Sequence, residues 1–379
     1  MTGDIVNAVL VGSHVNAQTI IRSLKSVAFN GKIILLLVNK EPIGLASFCH
    51  PDVEVWRVGM MNPGDLISAL KTRFGLVGEK TAVFFTDERF HFALSECQLG
   101  DLPWLVMHIG VQRHVSTILD RQLFCQFLSH GELAAVPKTI DGRQDPFKVF
   151  GEQFILRPRY SWHDLSQHES VRLVSSRKEY DHWMDDFKSR GLGCEDVCYQ
   201  ELLSIRDEDN VSICGWYDKN RQHLICTHKV LQHPPKTGNG DVVERIAPPS
   251  GVMEAALRVL KALEYEGPFE LEFVFDVKSG SYQVIELNPR FWMQHGLVEA
   301  VTGCALVSSY LDLPPQMPTA TEAVTRYWVN PLYALFRLMR ADFRAVRYAR
   351  RKDAYLPFSF WQALRFAPVH VLNKVRRRC

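Results

Sequence analysis

Two short runs in this sequence gather carboxylates where a cation could sit between them. They are Glu270-Leu-Glu272 and Glu286-Leu-Asn288-Pro-Arg290, within FELEFVFDVKSGSYQVIELNPR, residues 269–290. The alternation predicts two β-strands, because successive side chains on a strand point to opposite faces. Glu270, Glu272, Val274 and Asp276 then share one face, and Phe269, Leu271, Phe273 and Phe275 the other. On the second strand Tyr282, Val284, Glu286 and Asn288 point with the acids, and Ile285 and Leu287 point away. A three-residue turn, Lys278-Ser279-Gly280, joins the strands, with glycine supplying the positive-φ position. That register sets Glu272 across from Glu286. Paired carboxylates beside an Asn amide oxygen repel one another unless a cation lies among them, and such hard ligands suit Mg²⁺ or Mn²⁺ held together with substrate phosphates. Glu272, Glu286 and Asn288 are the candidate metal ligands, and Arg290 is placed to hold a phosphoryl oxygen. The plainer alternative is a hairpin with a solvated acidic face. The Asn-Pro-Arg step and the apolar flanks argue against it.

The chain that must position these groups has 379 residues, enough for two or three domains and a large core. Its 46% hydrophobic and 23% charged content is that of a soluble globular protein. A net charge of +2 excludes a molecule built as a whole for nucleic acid. Nine cysteines without a regular framework point to reduced thiols in a cytoplasm. Cys194, Cys198, Cys214 and Cys226 lack zinc-type spacing. No N-terminal signal pattern is visible, and no apolar run reaches the ~18–20 residues of a membrane span.

Strand and helix signals alternate through the first hundred residues. Ile5–Val11, Lys32–Val38, Val53–Val58 and Thr81–Thr86 read as strands, Lys32–Val38 as a continuous buried run, and Asn16–Phe29 and Asp65–Phe74 read as helices. This pattern predicts a parallel sheet covered on both faces. The first turn, Val11-Gly12-Ser13-His14-Val15-Asn16, is no GxGxxG, which argues against a dinucleotide site. Beyond residue 110, Val115–Ser129 reads as one helix. Phe154–Pro158, Val197–Leu203, Asn210–Tyr217 and Leu224–Lys229 read as strands, and Lys178–Arg190 and Val252–Leu263 as helices. Residues 233–251 are rich in Pro and Gly and read as a long loop or lid.

Residues 326–379 are basic, with Arg337, Arg340, Arg344, Arg347, Arg350, Arg351, Arg365, Lys374 and Arg376–Arg378 interleaved with apolar residues. This is an amphipathic helical pattern. It fits either a cap paired with the catalytic body or a surface drawn to an anionic membrane or glycan carrier. In the second case, removing residues 362–379 should spare turnover of soluble substrates.

The ordered set of these features resembles the ATP-grasp superfamily over about residues 115–312. Asp120-Arg121 and Pro137-Lys138-Thr139 resemble the entry segment. Phe154-Ile-Leu-Arg-Pro158 resembles the strand whose cation meets the α- and β-phosphates. Tyr199-Gln-Glu-Leu-Leu203 resembles the hinge that meets adenine, and Glu286-Leu-Asn-Pro-Arg290 the metal and phosphate strand. The resemblance implies an N-terminal Rossmann-like domain (1–112), a two-subdomain α+β ATP-grasp domain (113–312) and a basic helical C-terminal extension (313–379). It implies ATP and Mg²⁺ or Mn²⁺ as cofactors. Arg121, Arg157, Gln200, Glu201, Leu202, Leu203 and Asp209 would bind nucleotide, with Asp207 an alternative ribose ligand, and Lys229 and Arg290 would act in catalysis.

Several positions depart from the family pattern. Arg121 and Arg157 stand where many members have Lys. Arg159–Asp164 replaces the usual glycine-rich phosphate flap. Gln294-His295 stands where biotin-carboxylase-like members have a catalytic Glu-His. Gln232-His233-Pro234, Pro268–Phe273 and the run 288–292 are most similar to carboxylate–amine ligases of the carbamoyl-phosphate-synthase-like branch, among them cell-wall D-aspartate ligases and enzymes of surface-polysaccharide assembly. The implied reaction forms an acylphosphate from a carboxylate and ATP, then an amide from an amine, with an amino acid and a sugar acid or glycan precursor as candidate substrates. Such an enzyme is expected in the cytoplasm or peripherally at the inner membrane face, with a homodimer allowed. The alternatives are a kinase- or carboxylase-like ATP-grasp enzyme with a non-amine acceptor, and a non-catalytic ATP-grasp binding protein. Glu286→Gln or Asn288→Ala is expected to abolish turnover and leave the fold intact.

Overall fold

The computed structural model describes residues 5–38, 44–59, 64–86, 88, 91, 102–108, 114–161, 171–205, 210–233, 238–313 and 325–376, with side chains through residue 371. The first sheet holds β1 (Asn7–Val11), β2 (Lys32–Val38), β3 (Glu54–Val58), β4 (Thr81–Phe85) and β5 (Leu105–Val106). All its pairings are parallel, in the order β3-β2-β1-β4-β5. Period-two alternation distributes its apolar residues to two cores. Ala8, Leu10, Ala82 and Phe84 pack on one side with Ile20, Ile21 and Leu24 of the helix Val15–Ser26. Val9, Val11, Val83 and Phe85 pack on the other with Leu66, Leu70 and Phe74. The parallel sheet expected from the sequence is present, covered on both faces.

The second sheet is antiparallel, with β6 (Thr139–Asp141), β7 (Phe154–Pro158), β8 (Arg172–Val174) and β9 (Val197–Glu201) in the order β6-β9-β7-β8. Phe154, Leu156, Val197 and Tyr199 bury against Met184 and Phe187 of the helix Arg177–Ser189. Val115–Ser129 is two helices rather than one, Val115–Leu119 and Arg121–His130. The break lies at Asp120, whose backbone is extended and whose carboxylate accepts from the N–H groups of Gln122 and Leu123. An Asp side chain that satisfies two first-turn donors starts a new helix.

The third sheet comprises β10 (Asn210–Tyr217), β11 (Gln222–His233), β12 (Asn239–Ile246), β13 (Gly267–Asp276), β14 (Ser281–Asn288), β15 (Tyr327–Val329) and β16 (Ala354–Tyr355), in the order β14-β13-β10-β11-β12-β15-β16. Two sequence expectations change here. Much of the supposed lid 233–251 is strand β12, paired with β11 and β15, while residues 234–237 lie outside those described. The C-terminal extension is not purely helical, because β15 and β16 extend this sheet past residue 312. The helix Phe360–Arg376 follows, with Ala363 and Phe366 buried in the core that holds Leu10, Trp216 and Trp328.

A half-buried carboxyl group joins the first sheet's helix to the rest. Glu299, on the helix His295–Thr302, accepts from the Ser23 hydroxyl and from Leu306 N–H at 2.9 Å. Burial pushes its pKa from 4.5 up to about 7, against those two hydrogen bonds. Between these values the folded protein keeps a proton that the unfolded chain has lost. Stability should therefore fall as pH rises through this window, by roughly 3 kcal/mol in total. Glu299→Gln should flatten that part of the profile. Denaturant unfolding at both edges of the window tests this, and an unchanged slope would count against it.

Candidate active site

The acidic hairpin places Glu272 opposite Glu286 and Glu270 opposite Asn288. The pairing of the two glutamates is as the sequence predicts, but it is reached by another route. The turn has four residues, with Asp276 paired to Ser281, and a bulge at Ile285 restores the offset. The Asp276 carboxylate holds that turn, accepting from the N–H groups of Ser204, Lys278 and Ser279. The bulge also reverses the facing of the earlier residues. Val284 and Tyr282 pack with Phe273 and the apolar core rather than with the acids. An extra residue in one strand shifts every side chain before it to the other face.

Cations from three elements meet these carboxylates. Lys229, on β11, lies 2.7 Å from Glu272 Oε2. Arg157, near the end of β7, donates to Glu286 Oε2 at 2.9 Å, and Arg121, at the start of its helix, reaches the same oxygen at 3.5 Å. Burial alone would raise the pKa of Glu286. The charges of Arg121, Arg157 and Lys229 outweigh it and hold the carboxyl at about 2. Glu270 shifts the other way: burial and then the Glu272 charge push it up to about 8, with Lys229 and Arg290 opposing. Burial would lower Lys229, but Glu272 and Glu270 raise it on balance.

The two arginines keep capacity for an anion. The Nε atoms of Arg121 and Arg157 are buried without a hydrogen-bond partner among the described residues. A buried unsatisfied donor is costly, and an anionic ligand would satisfy it. The Oε1 atoms of Glu272 and Glu286 likewise have no described partner, because each glutamate meets its cations through Oε2. With Asn288 they form a set of hard oxygen donors that fits a divalent cation. Among the described residues no group of three or more His, Cys, Asp or Glu could hold a metal by itself, so phosphate oxygens would have to complete the shell. Asn288 Oδ1 accepts from Arg290 at 3.4 Å, and Asn288 Nδ2 donates to Glu270 at 3.4 Å.

Other sequence-predicted positions sort differently. Gln200 is buried and accepts from Arg157 at 3.4 Å while donating to Thr139 at 3.1 Å, so its side chain orients an arginine. Glu201 N–H donates to Lys138 O at 2.9 Å. Leu202 and Leu203 lie in the segment after β9. Among the described residues no hydrogen bond engages their backbone, which leaves a donor and an acceptor for a ring edge. Asp207, Asp209 and residues 162–164 lie outside the described residues.

The sequence reading missed Glu88, which follows β4 and bonds Arg290 Nε at 3.0 Å and the Ser161 hydroxyl. Its position at the carboxyl end of a parallel strand was the available signal, since ligand crevices form there. The reading also missed the cavity's other walls. A cavity of about 300 Å³ runs from Glu272, Glu286 and Arg290 to His14 of the first domain and to Tyr333, Phe366 and His370 of the C-terminal region. Gly12 has φ +104°, and a Cβ there would meet Thr86 Oγ1 at 2.4 Å, so glycine lets the chain turn tightly into His14 and Asn16. Asn16 then donates to Phe291 O at 3.4 Å, joining this turn to the segment after β14.

Residues 241–314 match the family described as carbamoyl-phosphate synthase L chain, ATP binding domain. The carbamoyl phosphate synthase large chain of Thermoanaerobacter sp. (strain X514) is 23% identical over 200 residues, covering 50% of this chain and 18% of that relative. The likeness to carbamoyl-phosphate synthases lies in the ATP-binding domain and covers at most half of this chain. Biotin carboxylase 1 of Bacillus subtilis (strain 168) is 26% identical over 125 residues, 32% of this chain and 26% of the relative. The chain thus spans only 18% and 26% of the length of these two curated relatives. The likeness of fold extends further than that of sequence. N5-carboxyaminoimidazole synthetase from Staphylococcus aureus, solved with ADP, superposes with a TM-score of 0.61 at 12% identity, over 83% of this chain and 79% of that one. Biotin carboxylase from Campylobacter jejuni gives 0.61 at 16% identity, over 84% and 73%. In this chain the β6–β9 sheet brings Arg157 to the acids of the larger sheet, and β13 and β14 present those acids at the same cleft.

Proposed function

We propose that the protein is an ATP-dependent ligase that joins a carboxylate to an amine through an acylphosphate and releases ADP and phosphate. The observation that carries this reading is the meeting of Arg121 and Arg157 with Glu286, and of Lys229 with Glu272, at one end of the cavity. Phosphoryl transfer needs positioning and charge neutralisation more than a covalent nucleophile. Arg121 and Arg157 would hold phosphate oxygens through their unsatisfied guanidinium donors. The exposed backbone edge at Leu202 and Leu203 suits adenine. Glu272, Glu286 and Asn288 would hold Mg²⁺, or Mn²⁺, which when bound neutralises phosphate charge. Arg290, steadied by Glu88, and Lys229 would stabilise charge on the acyl phosphate as the amine displaces it. A carboxylase-like reaction is the second reading, supported by the biotin carboxylase likeness.

The expected result is ADP release that requires both Mg²⁺ and a carboxylate, in a screen of amino acids and sugar acids. Hydroxylamine added to the active mixture should give a hydroxamate. ADP release that answers only to bicarbonate would favour the carboxylase reading. Absence of nucleotide binding would sink both.

The finer reading places the enzyme in envelope or surface-polysaccharide modification, with an amino acid as one substrate. Its support is the C-terminal helix, where Trp361 is 62% exposed and Leu364 and Val371 are also outward, beside Arg365. Among the described residues no helix is long and apolar enough to cross a membrane. A peripheral contact with anionic lipid at the inner membrane face would use this ridge, at on the order of 1 kcal/mol for each engaged basic residue. Several tail arginines are already paired, Arg337 with Asp241 and Asp342, Arg344 with Asp342 and Arg351 with Asp353. Co-sedimentation with anionic vesicles at low salt, reversed at high salt and weakened by Trp361→Ala, is the expected result. Absence of binding would leave the tail purely structural.

A further inference from the structure

We infer that the start of the helix Val15–Ser26, together with Gln294, forms a subsite for the carboxylate of an α-amino acid acceptor; this rests on the ligase reading above. The helix has 12 residues, and His14 at its N-cap makes no side-chain capping bond. Its first turn holds no acidic residue, so no carboxylate of that turn neutralises it. Among the described residues the N–H groups of Val15 and Asn16 have no hydrogen-bond partner. Both residues are buried and line the cavity. Unmet N–H groups at a helix start, with the positive end of the helix dipole behind them, favour an anion. Gln294 is an independent sign of a polar ligand. It is 6% exposed and lines the same cavity, yet its side-chain amide has no hydrogen-bond partner among the described residues. Its Nε2 lies 3.5 Å from where a Cβ on Gly240, another cavity residue, would stand. A buried amide without a partner is costly until a ligand completes it, and Nε2 can donate to a carboxylate oxygen.

The shape of the cavity defines the class of molecule. It runs from this helix start to Glu272, Glu286 and Arg290, where the acylphosphate would form. The Asn16 side chain bonds Phe291 O, which sets the helix start beside the segment that carries Gln294. An acceptor with its carboxylate on Val15 and Asn16 would extend its nitrogen toward the phosphate end. A volume of about 300 Å³ limits the ligand to a small one. Leu45, Trp292 and Phe366 line the walls, so a small or apolar side chain fits better than a charged one. The carboxylate held here is separate from the one that ATP activates, and it takes no covalent part. The subsite orients the acceptor and selects amino acids over amines that lack an anionic group.

Each amino acid is compared with its carboxamide, which keeps the shape and loses the negative charge. The enzyme is given Mg-ATP, the sugar-acid and amino-acid panel, and as acceptor hydroxylamine, an amino acid or the matching carboxamide. The readout is the ratio of kcat/KM for the amino acid to that for its carboxamide. Wild type should favour the amino acid by about 10-fold or more, since hydrogen bonds to a charged group are the stronger ones. Val15→Pro removes one N–H at the first helical position, where proline is well accepted and where the backbone of His14 before it is already extended. It should lower the ratio about 10-fold. Gln294→Leu should lower it too, and it carries the test if Val15→Pro fails to fold. Comparing ratios cancels the different basicity of the two amines, and a purely structural role would reduce both activities alike. An unchanged ratio in a folded variant would overturn the subsite. So would a wild type that forms hydroxamate yet uses amino acid and carboxamide equally. Failure of the wild type to form any hydroxamate would instead remove the ligase reading, and the subsite with it.

Discussion

Replacing Glu286 with glutamine is expected to end ATP turnover and also to destabilise the fold. The first effect follows from its proposed place beside the metal and phosphates, where loss of a ligand should cost at least about 100-fold in rate. The second revises the sequence expectation that the fold would stay intact. Glu286 is the carboxylate that meets both Arg121 and Arg157, and both guanidiniums are buried. A neutral amide would leave two positive charges facing one another. Removing one partner of a fully buried pair costs roughly 3–5 kcal/mol, and the value here should be smaller because Glu286 is partly exposed. Asn288→Ala leaves those ion pairs in place, so it should lose turnover with little change in melting temperature. Parallel ADP-release and thermal-unfolding measurements separate the two variants. Wild-type turnover in both would remove the metal site as assigned, and an unchanged melting temperature for Glu286→Gln would show that the arginines find other partners.

Phe366→Ala is expected to be the most damaging single change in the C-terminal helix. The ring is 3% exposed and lies 5.5 Å from Phe48, in the core shared by the first and third sheets. Truncating a buried Phe to Ala costs roughly 3–5 kcal/mol. Deleting residues 362–379 removes Ala363 and Phe366 together and should leave a protein that unfolds or aggregates. The burial of these two residues runs against the expectation that the segment could be removed without loss of turnover on soluble substrates. Phe366 and His370 also border the cavity, so protein that survives should turn over more slowly as well. Urea unfolding of Phe366→Ala, and of Trp361→Ala as an exposed control, tests the argument. Equal stability of the two variants would refute it.

Local patterning carried much of this protein in its sequence. The strands β1, β2 and β4 are buried apolar runs, and a parallel sheet follows from their alternation with helices. Glu272 facing Glu286 follows from period two and a short turn, and it survived an error in each: the turn is one residue longer and the bulge compensates. Those are properties of neighbouring residues, so sequence alone determined them. Tertiary structure decided who partners the acids. Arg157 and Arg121 lie 129 and 165 residues from Glu286, and Glu88 lies 202 from Arg290. Which of many charged residues meet depends on how three sheets pack, and no local period encodes that. The cavity walls have the same origin. His14 comes from a turn after the first strand and Phe366 from the last helix, and only burial of a shared apolar core brings them to one space. Hydrophobic burial sets that packing without regard to chain position, because it scales with the apolar area removed from water and has no direction.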